Sequence, residues 1–308
     1  MTVAFLFPGQ GAQACGFLHA LPDHPAIHET LAEAEQLMQR DVLQLDTEAA
    51  LASTTSLQLA TFIAGVATTR ALRAEGVTPD LVAGLSVGTF AAAVASGALS
   101  FAEALSLVLL RARLMEEAYP QGYGLAAIVG LSERRVREEI ITAGKEGIFV
   151  ASINAPTEIA LAGSDAAIAA AIAAAREAGA RHAERLAVAV PSHCPLLDSV
   201  AAALGEALRE VAVANPTIPY VGSRSARVLR DADAVREELA SNVAHTMRWH
   251  DATTMLHELG ATLFLEMPPG KVLTVLACNA FPRARARAMA HVSLRLASQL
   301  ADQDRGAS

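Results

Sequence analysis

Leu81-Val82-Ala83-Gly84-Leu85-Ser86-Val87-Gly88 joins a short apolar run to a serine flanked by glycines, and an alanine-rich stretch follows to about Ser96. A short apolar run closed by turn residues reads as a buried strand. The stretch therefore predicts a strand over 81–83, a sharp turn at Ser86 and then a helix. The N-terminus repeats the arrangement, because Val3-Ala4-Phe5-Leu6-Phe7 runs straight into Pro8-Gly9-Gln10-Gly11. Residues 25–40, 56–75 and 101–118 read as helices. Strand, tight turn and helix in repetition indicate an α/β fold with a mostly parallel sheet.

The pattern changes beyond Gln121-Gly122-Tyr123-Gly124. Residues 125–131 read as a strand and 132–143 as a helix. Residues 148–153 and 158–162 read as strands around the turn Asn154-Ala155-Pro156, 165–178 as a helix and 185–190 as a last strand. That order, βαββαβ, is a ferredoxin-like unit of about 65 residues. After Pro191 the chain returns to helices at 196–211, 232–241 and 249–259. Strands are expected near 219–223 and at 261–266, the latter closed by Pro268-Pro269-Gly270. The expected organisation is a core of 1–122 and 191–300, an inserted subdomain of 123–190, and a polar, disordered tail of 301–308.

Composition narrows the function. A chain of 308 residues can bury a sizeable core without disulfides or metal. Twenty-four Lys and Arg against 32 Asp and Glu give a net charge of -8. The one basic cluster is Arg283-Ala284-Arg285-Ala286-Arg287, so nucleic acid is a poor partner. Mean hydropathy is +0.34, yet the most apolar stretch, 82–99, is broken by Gly, Ser and Thr, so no membrane span is expected. The N-terminus lacks the basic region of a signal peptide. Cys15, Cys194 and Cys278 are far apart with no CxxC spacing, so neither a disulfide framework nor a metal site is indicated. A reducing cytoplasm is the expected compartment.

Gly84-Leu85-Ser86-Val87-Gly88 is G-x-S-x-G between a strand and a helix, which projects the Ser86 hydroxyl at the strand's C-terminal end. The Val87 N–H, at the helix start, would face a developing oxyanion, and the Gln10 N–H in the first glycine turn could be the second donor. A serine nucleophile needs a base. Among nine histidines His193 stands out, held between prolines in Val190-Pro191-Ser192-His193-Cys194-Pro195; a histidine merely packed at a domain hinge would look the same. Arg111 shares the apolar face of its helix with Ala104 and Val108, so its guanidinium needs an anionic or hydrogen-bonding partner unless its head reaches the surface.

Together these pieces resemble the malonyl-CoA:acyl-carrier-protein transacylase family. Phe7-Pro8-Gly9-Gln10-Gly11-Ala12-Gln13 is similar to its FPGQG[SA]Q motif, and Gly84-Leu85-Ser86-Val87-Gly88 to its GHSxG. Ser192-His193-Cys194-Pro195 resembles the loop of its catalytic histidine, and Glu266-Met267-Pro268-Pro269-Gly270-Lys271-Val272-Leu273 its C-terminal segment. The resemblance implies an α/β-hydrolase-like large domain with the ferredoxin-like insertion. It implies a Ser86 nucleophile with His193 as base, an oxyanion hole from Gln10 and Val87, and Arg111 on the substrate carboxylate. It sets Asn242 where the family has the glutamine that orients the histidine; the shorter side chain is tolerable if the backbone carbonyl does the orienting. Leu85, Thr89 and Phe90 depart from the usual pattern and resemble the acyltransferase subunit of malonate decarboxylase, so the resemblance implies the malonyl-loading subunit of that enzyme first, and a transacylase of fatty-acid or polyketide synthesis as the alternative. The implied substrate is malonyl-CoA or malonyl-(phosphoribosyl)dephospho-CoA, with no bound cofactor. The implied partners are an acyl carrier protein and, in that branch, the other decarboxylase subunits.

Other readings compete. Gly9-Gln10-Gly11-Ala12-Gln13-Ala14 fits a dinucleotide fingerprint, but Glu29 and Glu33 fall in a predicted helix instead of ending a second strand. A serine hydrolase would use a late histidine, His257 or His291, with an acid such as Asp251. A non-catalytic scaffold would leave Ser86, His193 and Arg111 unused. His24 and His28 lack a third metal ligand, 265–272 is not a P-loop, and Cys194 lacks a nucleophile's context.

Overall fold

The computed structural model describes residues 2–11, 13–141 and 147–306. The chain opens with β1 (Thr2–Phe7), α1 (Pro25–Met38), α2 (Thr54–Ala74), β2 (Leu81–Gly84), α3 (Gly88–Ala95) and α4 (Phe101–Ala118). Next come β3 (Tyr123–Val129), α5 (Glu133–Arg135) running on as a π-helical turn Val136–Ile141, β4 (Ile148–Ala155), β5 (Glu158–Ser164), α6 (Asp165–Glu177) and β6 (His182–Arg185). The remainder is α7 (Asp198–Arg209), β7 (Tyr220–Val221), β8 (Val228–Leu229), α8 (Ala232–Ser241), α9 (Trp249–Glu258), β9 (Ala261–Glu266), α10 (Val272–Ala280), β10 (Arg285–Ala288) and α11 (Leu294–Gly306).

The larger sheet has the order β10-β9-β1-β2-β7-β8. All neighbours are parallel except β7 and β8. β1 lies centrally and is buried on both faces, which is why it reads as one continuous apolar run. Val3, Phe5 and Phe7 point into a core shared with α2, α3 and α4. Ala4 and Leu6 point the other way, onto Trp249, Leu256 and Leu273 of α9 and α10. The parallel direction brings the C-terminal ends of β1 and β2, hence both glycine turns, to one edge.

The smaller sheet, β4-β5-β3-β6, is antiparallel throughout, with the strand order of a βαββαβ unit. α6 and the π-helical turn pack on one face. The other face carries Ala151, Ala160 and Ala162 toward Cys194, beside the linker that returns to the larger sheet.

Three expectations need correction. The strand expected at 185–190 is β6, which ends at Arg185; beyond it Val188 and Val190 bury themselves against Met115, Leu197 and Val200, so their alternation serves packing and not sheet pairing. The helix expected over 132–143 is described to Ile141 and widens to a π turn that keeps Val136 and Ile140 on the core; 142 and 143 lie outside the described residues. Residues 301–306 are not disordered but continue α11, whose Leu294, Ala297 and Ala301 sit at helical spacing against the main core; 307–308 lie outside the described residues. β8, α10 and β10 carry no periodicity strong enough to predict them from the sequence. Among the described residues no helix is long and apolar enough to cross a membrane.

Candidate active site

Ser86 stands between the end of β2 and the start of α3 with φ at 55°, in the left-handed region. A serine is held there only when its surroundings impose it. Two glycines do so. A Cβ on Gly84 would lie 2.2 Å from the Gly88 carbonyl, and one on Gly88 2.2 Å from the Phe7 carbonyl oxygen. The turn therefore closes with bare backbone against backbone, and the Ser86 side chain is thrown outward.

His193 lies in the linker between the smaller sheet and α7, also in the left-handed region with φ at 60°. Its Nε2 is 2.9 Å from Ser86 Oγ, and its Nδ1 is 2.6 Å from the Asn242 carbonyl oxygen. Its own backbone N–H donates to the Val243 carbonyl at 2.6 Å. A carbonyl can only accept, so Nδ1 carries the hydrogen and Nε2 is left to accept the serine proton. Burial first, and the nearby Arg111 charge second, lower the ring's pKa to about 3, against the opposing Asn242 bond. The imidazole is thus neutral at pH 7.

Arg111 of α4 is fully buried. Its Nη1 donates to Gln58 Oε1 at 2.5 Å and its Nη2 to Ser86 Oγ at 3.2 Å, while its Nε has no partner among the described residues. No described carboxylate pairs with it. Burial lowers its pKa to about 9, which still leaves it charged at pH 7. A buried cation without a counter-ion is costly, and a carboxylate entering beside Ser86 matches both its charge and its geometry.

Gly9 presses on the nucleophile, since a Cβ there would lie 3.0 Å from that of Ser86. Its neighbour Gln10 lines a cleft of about 100 Å³ with Leu85, Ser86, Leu125, Asn154 and His193. Among the described residues neither the Gln10 nor the Val87 amide donates a hydrogen bond. No group of His, Cys, Asp and Glu among the described residues could hold a metal.

The fold thus gathers Gln10, the adjacent Ser86 and Val87, Arg111, His193 and Asn242 from five separate places in the chain, at or directly behind one cleft. Ala12, in the first motif, lies outside the described residues. The rival histidines stand elsewhere: His257 stacks on Phe281 and bonds the Ala261 carbonyl, and His291 lines a separate cavity with Cys15 and Lys271. Glu29 and Glu33 lie within α1, so no acid ends a second strand. Cys194 is buried, which pushes its thiol up to about 11 and leaves it unreactive. Sequence reasoning missed Gln58, whose Nε2 also reaches Gln10 Oε1 at 3.4 Å. The available signal was an amide on a helix that is otherwise apolar through its middle, because a buried amide requires a partner.

An acyl transferase domain is matched by residues 4–297, and the chain belongs to that family. The malonyl CoA-acyl carrier protein transacylase of Salmonella typhimurium (strain LT2) is 34% identical over 281 residues, 89% of this chain and 91% of that one. The solved acyl-carrier-protein S-malonyltransferase from Burkholderia pseudomallei 1710b superposes with a TM-score of 0.91 at 34% identity, over 97% of this chain and 100% of its own. A structure of a type II PKS acyl-carrier protein in complex with its malonyl-transacylase matches with a TM-score of 0.90 at 32% identity, over 97% and 99%. Within the acyl transferases, the chain is an enzyme of the malonyl-CoA:acyl-carrier-protein S-malonyltransferase family.

Proposed function

We propose that this enzyme moves a malonyl group from malonyl-CoA to the prosthetic-group thiol of an acyl carrier protein, through an ester on Ser86. The observation that carries the reading is Arg111, a buried cation with no acid beside it among the described residues, hydrogen-bonded to the serine that His193 faces. His193 Nε2 takes the Ser86 proton as Oγ attacks the thioester carbonyl. The oxyanion lies between the N–H groups of Gln10 and Val87, each worth roughly 3–4 kcal/mol in such a role. Collapse breaks the carbon–sulfur bond, and the CoA thiolate leaves with the proton from His193. The carrier thiol then gives its proton to His193, attacks the ester and restores Ser86. Arg111 holds the free carboxylate throughout, and the Asn242 carbonyl keeps His193 in the required tautomer. In this reading residues 1–122 and 191–300 make the acyltransferase core, and the smaller sheet of 123–190 roofs the cleft through Leu125, Ser152 and Ala160. A cytoplasmic setting suits its three free cysteines.

A second reading assigns the same chemistry to the malonyl-loading subunit of malonate decarboxylase, with a dephospho-CoA-type arm on the carrier. Leu85, Thr89 and Phe90 favour it; the named relatives favour the carrier-protein transacylase. The test is incubation with malonyl-CoA and, separately, malonyl-dephospho-CoA, followed by intact mass and peptide mapping. Malonyl on Ser86 from malonyl-CoA is expected. A marked preference for the dephospho donor would move the assignment to the second reading, and no adduct from either would sink both.

A further inference from the structure

Thr89 is fully buried in the first turn of α3. Its hydroxyl lies 2.7 Å from the Ser86 carbonyl oxygen and 2.9 Å from Asn242 Nδ2. A hydroxyl has one proton to give, and the Ser86 carbonyl can only accept it. Thr89 Oγ1 must therefore accept from Asn242, which fixes that amide with its Oδ1 turned away, where it has no partner among the described residues. A threonine that bonds back to its own helix turn is ordinary local behaviour. The amide arriving from 153 positions along the chain is not local.

These bonds close a ring. Ser86 Oγ meets His193 Nε2, His193 Nδ1 meets the Asn242 carbonyl, Asn242 Nδ2 meets Thr89 Oγ1, and Thr89 Oγ1 meets the Ser86 carbonyl. Two of its members, Ser86 and His193, hold left-handed backbone. From outside the ring, the Tyr220 hydroxyl donates to the Thr89 carbonyl at 3.1 Å. Along the front of the ring, the turn bearing Ser86 and the segment bearing Asn242 are linked through the Ser86–His193 pair. Along the back they meet through Thr89 and the Asn242 side chain.

We propose that Thr89 and the Asn242 side chain are positioning residues, which set the Ser86–His193 separation from behind without touching substrate. The inference rests on the acyl-transfer reading above. Misplacing a nucleophile relative to its base costs rate, on the order of 10- to 100-fold. Binding is left alone, because Arg111 and the cleft walls keep their own contacts.

The experiment measures kcat and KM for malonyl transfer, and single-turnover malonylation of Ser86, in wild type, Thr89→Val, Thr89→Ser, Asn242→Ala and the Thr89→Val/Asn242→Ala double variant. Circular dichroism reports folding. Thr89→Val and Asn242→Ala should each lose roughly 10-fold or more in kcat with KM unchanged. Thr89→Ser, which keeps the hydroxyl, should stay within about threefold. The double variant should be no slower than the slower single one, because either change opens the same ring. If Thr89→Val fails to fold, Asn242→Ala tests the same bond from its other end. A folded Thr89→Val or Asn242→Ala with wild-type kcat overturns the proposal, as do effects that multiply in the double variant. Wild-type protein that does not malonylate Ser86 would instead overturn the acyl-transfer reading beneath it.

Discussion

Arg111 Nη2 lies 3.2 Å from Ser86 Oγ, so a fully buried guanidinium shares the nucleophile with the base His193. That contact places a positive charge where one end of a short dicarboxylic acyl group would lie once its other end is esterified to Ser86.

Arg111→Ala should abolish the preference for malonyl over acetyl donors while leaving some transfer of uncharged acyl groups. Losing the partner of a buried carboxylate costs about 2–5 kcal/mol, so malonyl transfer should fall by roughly 30-fold or more. Steady-state rates with malonyl-CoA and acetyl-CoA check this, and undiminished malonyl selectivity would remove Arg111 from the assignment.

The same arginine should cost the empty protein stability. Arg111→Met fills the space with apolar atoms and removes an uncompensated charge, so the unfolding free energy should rise by about 1–3 kcal/mol. Urea unfolding of the two proteins without substrate measures it; a variant less stable than wild type would mean the guanidinium's bonds to Gln58 and Ser86 outweigh its desolvation.

His193 sets a pH signature. Its pKa falls from 6.5 unfolded to about 3 folded. Between these values the unfolded chain binds the extra proton, so stability rises with pH across that window and gains nothing further above 6.5. The slope should shrink in His193→Phe. In activity, the acid limb of kcat/KM should lie below about pH 5 and not near the ordinary histidine value. A limb close to 6.5 would show a solvated imidazole.

Gly88→Ala should damage the fold itself. The new methyl would sit 2.2 Å from the Phe7 carbonyl oxygen, a backbone atom that cannot swing aside. The expected loss is about 3 kcal/mol or more, read from thermal or denaturant unfolding. Gly205→Ala in α7, where the nearest atom would be 3.9 Å away, serves as the tolerated control.

The parallel sheet was legible because each buried strand is an apolar run ended by a glycine turn, as Phe7-Pro8-Gly9 and Ala83-Gly84 show. The edge strands were less so. β10 reads Arg-Ala-Arg-Ala, with only alanine on its buried side, and β8 is a two-residue ladder held by β7. Ser86 and His193 announced themselves through local rigidity, glycines around one and prolines around the other. Gln58 and Thr89 did not, because their meaning is purely spatial: each matters through an atom brought from a distant helix. The sequence leaves Asn242 tolerable only if its backbone carbonyl orients the histidine. In the fold its carbonyl meets the histidine and its shorter amide meets Thr89, so both ends of the residue are engaged.

β4 is pinned beside the cleft to the segment between Asn242 and α9. Ile153 N–H donates to the Met247 carbonyl, and Met247 N–H donates to the Ala151 carbonyl, so β4 grips the segment that leads back to Asn242. The smaller sheet is therefore geared to the base as well as roofing it. A shift of β4 is therefore passed through backbone alone to the segment whose Asn242 carbonyl holds His193.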